Sequence, residues 1–441
     1  MKKVGFISLG CPKNQVDGDC MLASLTDAGY EIADPYDGAD VVIINTCGFI
    51  ESAKAEAIQN ILDMAQLKEE GTVRKIVVTG CLAERYRDEI KKEIPEADAV
   101  IGLAANKDIV TVCDEVLRDK ELCIFPPKET MPLCGSRVLT TPEYYAYVKI
   151  ADGCDNRCSY CAIPNIRGGY RSREMEDIID EVKSLGEKGV KEIILVAQDT
   201  TLYGRDIYGR LALPELLRKL CALDGIEWIR LMYCYPDEFS DELIRTIKEE
   251  KKVLDYIDLP LQHADDRILK LMNRRGTAQD YEALIKKLRA EIPDICIRTT
   301  FITGFPGEDE AAFENLALFI NRIEFDRLGC FTYSAEEDTP AAGFDAQLDE
   351  QTKVDRKDII MNDQFLIVEE KGRRMKGRTL DVLVEGYDGY TDSYFGRSYM
   401  DAPEIDGSVK FTSEEPLEEG DICRVEIFGF DDYDLIGEAS N

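Results

Sequence analysis

Three cysteines stand close together in the middle of the chain, at spacings of four and then three residues. Thiolates this crowded suit a soft metal better than a disulfide, because so tight a loop leaves little room for unstrained bridging. Iron–sulfur clusters are held by such runs, and a cubane held by three thiolates keeps one iron free for a substrate or cofactor. A zinc site is the alternative, but no further Cys or His pair lies nearby to complete it. We therefore predict an iron–sulfur cluster on Cys154, Cys158 and Cys161.

Three more cysteines are spread through the first hundred residues, and each follows an apolar run that predicts a strand. The runs and their cysteines are residues 4–9 with Cys11, residues 41–45 with Cys47, and residues 76–79 with Cys81. The carboxyl ends of parallel strands meet at one sheet edge, where ligands bind. A single free cysteine is commonly a core residue, but three in equivalent places predict a second metal centre. Four others lack this placement and are interpreted as core or incidental: Cys20, Cys113, Cys123 and Cys134.

The pattern of strands and helices predicts an α/β protein in three parts. Residues 1–118 alternate strand and helix, which indicates a parallel sheet with right-handed crossovers. Residues 119–142 are rich in proline and resemble a linker. Residues 143–371 hold six strand–helix units, which predict an open (β/α)6 partial barrel whose site faces the carboxyl ends of its strands. Residues 372–441 alternate in short runs and predict a small antiparallel β-barrel.

Composition narrows the classes of function. The 441 residues suffice for two or three domains, and 54 basic against 87 acidic residues give a net charge of −33. Such a field repels nucleic-acid phosphates and attracts basic partners. The single histidine, His263, argues against histidine-based triads and is interpreted as structural. The absence of a signal-peptide pattern and of any apolar run of about eighteen residues predicts a cytoplasmic protein without a membrane span.

The spacing of Cys154, Cys158 and Cys161, with the aromatic Tyr160 before the last, resembles the motif of the radical S-adenosylmethionine (SAM) superfamily. The whole three-part layout resembles the radical SAM methylthiotransferases. One branch of that family modifies an adenosine in transfer RNA, and the other modifies an aspartate of ribosomal protein S12. Three runs resemble the protein-modifying branch: residues 10–17 (GCPKNQVD), 396–398 (GRS) and 401–407 (DAPEIDG). A minor departure is Gly18-Asp19, where that branch often has serine and glutamate.

The resemblance implies that the barrel cysteines bind a [4Fe–4S] cluster whose open iron chelates SAM. The radical then arises at this cofactor, so no protein side chain is assigned as catalytic. Tyr160 is expected against the adenine, with ordinary core packing as the alternative. The glycine-rich turn that contains Gly304 and Gly307 is expected along the cofactor, although such turns are also common connectors.

The resemblance also implies a second [4Fe–4S] cluster, on Cys11, Cys47 and Cys81, which carries the transferred sulfur. A second SAM molecule supplies the methyl group. The expected product is a methylthio group on the β-carbon of an aspartate in ribosomal protein S12, either free or in the small subunit. A donor such as flavodoxin is expected to supply electrons, and the terminal barrel is expected to be TRAM-like.

Two other functions stay open: methylthiolation of adenosine in transfer RNA by the same chemistry, and electron transfer by a non-catalytic iron–sulfur protein. The carrier is disfavoured because both predicted clusters lack a ligand and the barrel has room for a substrate. Charge separates the other two, because an RNA-binding surface normally carries lysine and arginine. From residue 375 onward five basic residues stand against seventeen acidic ones, so this barrel is not expected to bind nucleic acid. A basic patch of Arg167, Arg171 and Arg173 could still offset that charge.

Overall fold

The computed structural model describes residues 2–133 and 135–440, and three main β-sheet units organise them. A six-stranded parallel sheet comes first, a second one follows, and a closed five-stranded barrel ends the chain. This succession confirms the predicted α/β fold class. Cys134, interpreted from the sequence as a core or incidental residue, lies outside the described residues. Among the described helices, none is both long and apolar enough to span a membrane.

The first sheet is built from β1 (Lys2–Ser8), β2 (Tyr30–Ala33), β3 (Val41–Thr46), β4 (Lys75–Gly80), β5 (Ala99–Ile101) and β6 (Leu122–Ile124). Its helices are α1 (Pro12–Asp27), α2 (Glu51–Glu69), α3 (Cys81–Tyr86), α4 (Asp88–Glu93) and α5 (Ile109–Val116). The strand order is β2-β1-β3-β4-β5-β6, and every neighbouring pair is parallel. Apolar clusters lie against both faces of the sheet, as a parallel sheet requires.

Two helices of this sheet differ from the spans that the sequence pattern predicts for them, residues 18–28 and residues 83–92. The first begins at Pro12, six residues before the pattern at residues 18–28, because proline fixes a helical φ and has no N–H to lose at that position. Gly18 inside the helix permits close packing, since a β-carbon there would stand 2.9 Å from the Phe6 ring. The helix predicted at residues 83–92 is divided into α3 and α4 at Arg87, whose φ is +40°.

The central sheet and its connections contain the strands β7 (Tyr145–Lys149), β8 (Ala151–Asp152), β9 (Arg171–Ser172), β10 (Glu192–Val196), β11 (Trp228–Leu231), β12 (Val253–Asp258), β13 (Cys296–Thr303) and β14 (Arg327–Thr332). The helices are α6 (Ile163–Arg167), α7 (Met175–Glu187), α8 (Arg205–Tyr208), α9 (Leu213–Cys221), α10 (Asp241–Glu249), α11 (Asp266–Leu271), α12 (Ala278–Glu291), α13 (Glu310–Ile323) and α14 (Glu350–Arg374). A short ribbon pairs β8 with β9, and the other six strands are parallel in the order β14-β13-β12-β11-β10-β7. The sheet ends at β14 and β7 without joining them, so the barrel is open as predicted.

The terminal barrel contains β15 (Thr379–Asp388), β16 (Ser393–Arg397), β17 (Val409–Thr412), β18 (Ile422–Asp431) and β19 (Asp434–Ala439). It closes in the order β15-β16-β17-β19-β18. The sequence pattern predicts the first four strands but misses β19, because only a two-residue turn separates β19 from β18. The predicted barrel is confirmed, and one of its five strand pairs, β17 with β19, is parallel rather than antiparallel.

The loop between β16 and β17 leaves the small barrel and enters the amino-terminal half of the open central barrel. Arg327, the first residue of β14, forms an ion pair with Asp401 of this loop. Asp406 lies 3.3 Å from the Arg298 guanidinium and accepts a hydrogen bond of 2.7 Å from the Tyr256 hydroxyl. The loop fills the end of the central barrel at which its strands begin. A ligand site is therefore confined to the opposite end, where the strands end.

Candidate metal and cofactor site

The three barrel cysteines lie on the loop that follows β8, at the carboxyl end of the central sheet. Two distant segments hold this loop through Ser159, whose N–H donates to the Met272 carbonyl and whose carbonyl accepts from the Ala341 N–H, both at 2.9 Å. The N–H of Cys154 donates to the Gly168 carbonyl at 3.1 Å. The barrel therefore fixes the loop in place at the end of the sheet where the sequence predicts the site.

Burial raises the pKa of two of these thiols. Burial raises the pKa of Cys154 to about 11, and the neighbouring Cys158 adds to that effect. Burial also raises the pKa of Cys161, as do the charges of Cys158 and Cys154. Thiols with raised pKa values stay protonated near neutral pH unless a metal cation replaces the proton. The donor set thus suits a group that supplies positive charge of its own.

The spacing of the cysteines bears on which metal group fits. Among the described residues, no three His, Cys, Asp or Glu side chains are close enough to hold one metal ion. Zinc would need its sulfur ligands at about 2.3 Å from a common centre. The thiolates of a cubane bind different iron atoms and stay further apart. The described residues therefore do not form a ready zinc site, and a cluster on the barrel cysteines stays a prediction.

The structure brings Tyr160 together with the turn of residues 304–308. The Tyr160 and Phe305 rings meet edge to face, with centroids 6.5 Å apart. Gly304 has a φ of +70°, and a β-carbon there would stand 2.2 Å from Cγ of Lys353, so the turn requires glycine. Gly307 also has a positive φ, of +89°. Apolar packing accounts for part of the Tyr160 surface, and contact of these residues with a cofactor stays a prediction.

Glu308 organises this turn, and sequence reasoning did not identify it as a site residue. Its Oε1 accepts hydrogen bonds from the Gly304 N–H at 2.9 Å and from Arg356 at 2.6 Å. Its Oε2 lies 3.0 Å from Nε2 of His263, whose Nδ1 accepts from the Asp265 N–H at 2.9 Å. These bonds assign the His263 proton to Nε2 and agree with its interpretation as structural. The signal in the sequence that points to Glu308 is its position directly after the glycine-rich turn.

The structure also brings the N-terminal cysteines together, at the carboxyl edge of the first sheet. Cys11 precedes α1, Cys47 follows β3, and Cys81 begins α3. Two glycines allow the strand ends to approach. A β-carbon on Gly10, which has a φ of +92°, would stand 2.9 Å from Sγ of Cys47, and one on Gly48 would stand 2.7 Å from the backbone next to Cys81. Their role as ligands stays a prediction.

Two cations, Lys13 and Arg167, act on the N-terminal cysteines. Burial acts to raise the pKa of Cys11, but the charges of Lys13 and Arg167 outweigh it, so the pKa of Cys11 is lowered. Burial dominates at Cys81 and raises its pKa to about 12, although Arg167 lies 3.7 Å from its sulfur. Burial likewise raises the pKa of Cys47. Of the three cysteines, Cys11 is therefore the one whose surroundings favour anionic sulfur.

Arg167 connects the two cysteine sets. It ends α6, which follows the barrel cysteines, and only 1% of its surface is exposed. Its guanidinium lies 2.8 Å from the carboxylate of Asp152 in the barrel and 3.0 Å from that of Asp17 in α1. Lys149 pairs with the same two carboxylates. Burial opposes ionisation of Asp152, but Arg167 and Lys149 outweigh it and lower its pKa.

The basic patch considered from the sequence does not form a surface. Arg167 and Arg173 are buried, and Arg173 pairs with Glu181 at 2.6 Å. Arg171 is half-buried and donates to the carbonyls of Glu129 and Met131. These arginines hold the protein together and leave no basic face for phosphates.

Asp199 is a further buried carboxylate near the cysteine loop, and it provides a first prediction. Burial raises its pKa to about 6, although Thr201 and Asn156 donate hydrogen bonds to it. A raised pKa means that its contribution to stability is present below about pH 4 and is lost as the pH rises through 6. Asp199→Asn should therefore increase the free energy of unfolding at pH 7.5 by about 1–2 kcal/mol.

Urea unfolding of the cluster-loaded protein between pH 5 and pH 8, without oxygen, measures this effect. The gain from Asp199→Asn should shrink toward pH 5, where the wild-type carboxyl is protonated. Asp224→Asn, at an exposed position of the same domain, serves as the control and should leave the profile unchanged. A gain that is independent of pH would contradict the argument.

Comparison with known proteins gives three family matches along the chain. Residues 3–102 match a family described as Uncharacterized protein family UPF0004, residues 148–320 match the Radical SAM superfamily, and residues 377–439 match the TRAM domain. A protein of Acetivibrio thermocellus named ribosomal protein uS12 methylthiotransferase RimO is 51% identical, with 100% of this chain and 99% of that protein aligned. A protein of the same name from Desulfitobacterium hafniense is 51% identical over 99% of this chain and 98% of its own.

Solved structures share the fold at low identity. The radical S-adenosylmethionine methyltransferase TsrM from Kitasatospora setae, solved with tryptophan and a SAM analogue, aligns with a TM-score of 0.58 and 13% identity. That alignment covers 85% of this chain and 90% of the other. The cobalamin-dependent S-adenosylmethionine radical enzyme OxsB aligns with a TM-score of 0.53 and 11% identity over 82% of this chain and 56% of its own. These likenesses support the arrangement of the sheets alone.

Proposed function

This chain belongs to the ribosomal protein uS12 methylthiotransferase (RimO) family, and we propose that it transfers a methylthio group to the β-carbon of an aspartate in that ribosomal protein. The radical SAM domain implies a [4Fe–4S] cluster and SAM. When bound, these cofactors supply the radical that activates a C–H bond. The protein's own part is to hold them, to place the substrate carbon and to exclude water.

In this proposal each cysteine set has its own task. Cys154, Cys158 and Cys161 bind the cluster that serves SAM, with Tyr160 and the turn of Gly304 and Gly307 beside it. Cys11, Cys47 and Cys81 bind a second cluster that carries the transferred sulfur. The cations around the second set, Lys13 and Arg167, suit a site that holds anionic sulfur.

One observation carries the division of labour: the two cysteine sets share a single interface. Cys81 packs in one apolar cluster with Ala162 and Ile166, which directly follow the barrel cysteines. Arg167 then contacts the Cys81 sulfur from the same helix. A substrate carbon at the carboxyl end of the barrel would thus be within reach of both centres.

The partners follow from charge. The terminal barrel is strongly acidic, and ribosomal proteins that bind RNA are basic, so we propose that this barrel docks the substrate protein and not nucleic acid. The substrate is free uS12 or uS12 within the small subunit. The second proposed partner is a low-potential one-electron carrier such as flavodoxin, which supplies the electrons.

The proposal is tested by mass spectrometry of small-subunit ribosomal proteins and of transfer RNA from a strain that lacks this gene. Loss of a methylthio group from the aspartate of uS12, restored by the wild-type gene, is the expected result. Loss of methylthioadenosine from transfer RNA, with uS12 unchanged, would instead support the transfer-RNA alternative.

A second prediction concerns docking. Glu414, Glu415, Glu418 and Glu419 are exposed on the loop between β17 and β18. Reversal of all four to lysine should slow association with uS12 roughly tenfold at low salt, because long-range attraction is lost, and the difference should shrink as salt is added. Residual affinity for transfer RNA should increase, since phosphate binding responds to added positive charge.

The control is the same change of net charge at a distant surface. Glu56, Asp63, Glu69 and Glu70 are exposed on or just after α2, and their reversal to lysine should have a much smaller effect. Stopped-flow association rates of uS12 and of transfer RNA across a salt series provide the measurement. Equal slowing by the two sets of charge reversals would contradict docking at the terminal barrel. So would a wild-type protein that binds transfer RNA tightly and does not bind uS12.

A further inference from the structure

A tyrosine outside the predicted ligand set lies next to Cys158, and an arginine packs on that tyrosine. The Tyr235 hydroxyl lies 3.4 Å from Sγ of Cys158, and both side chains are buried. A thiolate that binds a metal can only accept a hydrogen bond, so in the loaded protein this hydroxyl is the donor. The guanidinium of Arg274 lies over the Tyr235 ring, with Cζ 3.9 Å from the centroid.

Arg274 is an unusual cation for a buried position. It is 8% exposed, its Nη2 donates to the Pro260 carbonyl at 2.6 Å, and its Nε has no hydrogen-bond partner among the described residues. In the described part of the chain no carboxylate forms an ion pair with it, and the titratable groups that act on its charge are tyrosines and Cys158. A buried charge without a counter-charge is costly. An anionic group at the cysteine loop would offset that cost.

The position of Arg274 relative to Cys158 is fixed by the chain that leads to it. Residues 271–273, at the end of α11, bind the cysteine loop on both sides of Cys158. The three hydrogen bonds run from Ser159 Oγ to the Leu271 carbonyl at 2.7 Å, from Ser159 N–H to the Met272 carbonyl at 2.9 Å, and from Asn273 Nδ2 to the Arg157 carbonyl at 2.7 Å. The arginine is therefore held by the same segment that shapes the loop.

We propose that Tyr235 and Arg274 are positioning residues that raise the reduction potential of the cluster on the barrel cysteines. This inference rests on the proposed function. Reduction transfers one electron from a low-potential protein donor and adds one negative charge, while the bonds to the cysteines persist. A hydrogen bond to a ligating sulfur and a nearby cation stabilise the more negative form. The cation over the ring also makes the hydroxyl a stronger donor.

A purely structural role for the pair predicts something different. A brace for the loop would change how much cluster is assembled or how stable the protein is. It would leave the midpoint potential of an assembled cluster unchanged. The potential is therefore the measurement that separates the two roles.

The test uses the full chain with Cys11, Cys47 and Cys81 replaced by alanine, so that only the barrel cysteines can hold a cluster. Tyr235→Phe removes the hydroxyl alone, and Arg274→Gln removes the charge while keeping a polar side chain. Tyr203→Phe is the matched control, because Tyr203 is also buried in the same domain and its hydroxyl donates to the Arg173 carbonyl at 3.0 Å. Iron and sulfide are counted after anaerobic reconstitution, and the midpoint is titrated by electron paramagnetic resonance without SAM.

At a fixed solution potential, Tyr235→Phe should lower the ratio of reduced to oxidised cluster about tenfold, which is about 59 mV for one electron. Arg274→Gln should shift the midpoint in the same direction, and Tyr203→Phe should not shift it. Unchanged midpoints in both variants, with full iron content, would overturn the inference. So would failure of both variants to assemble a cluster when Tyr203→Phe does. Absence of a cluster in the parent protein would instead count against the proposed function.

Discussion

Replacement of Cys154, Cys158 and Cys161 by alanine is expected to abolish reductive cleavage of SAM and to remove about half of the bound iron. The barrel cluster has all its proposed protein ligands in this set, so its loss leaves no place for SAM to be reduced. Each cubane holds four irons, so the content should fall from about eight to about four per chain. Iron and sulfide analysis after anaerobic reconstitution, with chromatographic assay of 5′-deoxyadenosine, measures both effects.

The reciprocal variant is the control. Alanine at Cys11, Cys47 and Cys81 should leave about half of the iron and should still form 5′-deoxyadenosine, but it should yield no methylthiolated uS12. Loss of all iron from the barrel variant, or zinc as the only metal found, would contradict two separate clusters. Loss of SAM cleavage in a well-folded N-terminal variant would contradict the division of tasks.

Much of the fold could be predicted because strand and helix patterns are local. The apolar β-branched runs at Val41–Thr46 and Lys75–Gly80 are buried strands, and their pattern is visible without any tertiary information. The boundary errors have local causes that propensity alone does not weigh. Pro12 starts α1 early, and Arg87 interrupts a helical pattern with a positive φ. The strand β19 was missed because its partners, β17 and β18, define it more than its own residues do.

Some residues of the candidate site could likewise be predicted from local sequence, and others could not. Six cysteines could be predicted as ligands because their spacing and their places after strands carry the signal, and their role as ligands stays a prediction. Arg167 could only be considered as surface charge, because nothing in its neighbours shows that it is buried between Asp17 and Asp152. Arg274 is separated from Cys158 by more than one hundred residues, and only the folded barrel brings it behind Tyr235.

The loop between β16 and β17 shows how a sequence resemblance can have a structural origin. Residues 401–407 resemble the protein-modifying branch of the family, yet several of them serve to fill the central barrel. Asp401 pairs with Arg327, and Asp406 binds Arg298 and Tyr256. The terminal barrel is thereby anchored to the domain that holds the barrel cysteines, so a protein docked on it is held in a fixed position relative to them.

Arg167→Met should lower the free energy of unfolding by about 3–5 kcal/mol, because removal of one partner from a buried ion pair leaves charge uncompensated. Asp17 and Asp152 would then share Lys149 alone. The loss should shrink under mild acid. Arg167 and Lys149 lower the pKa of Asp152 in the folded protein, so the wild-type pair keeps its contribution to stability until the pH falls well below neutral. Without Arg167 that pKa rises, and protonation of Asp152 then removes part of the uncompensated charge at a higher pH than in the wild type.

Arg167→Met should also lower the amount of methylthiolated product formed per 5′-deoxyadenosine, because this side chain joins the two cysteine sets. The measurement is urea unfolding at pH 7 and pH 5, together with the ratio of methylthiolated product to 5′-deoxyadenosine. Arg173→Met is the matched control, since Arg173 is also buried and ion-paired but has its partners Glu181 and Lys149 within the central domain. Both variants should unfold at lower urea concentration, but only Arg167→Met should lower the product ratio. An equal fall of that ratio in both variants would mean that general destabilisation, and not the link between the domains, limits sulfur transfer.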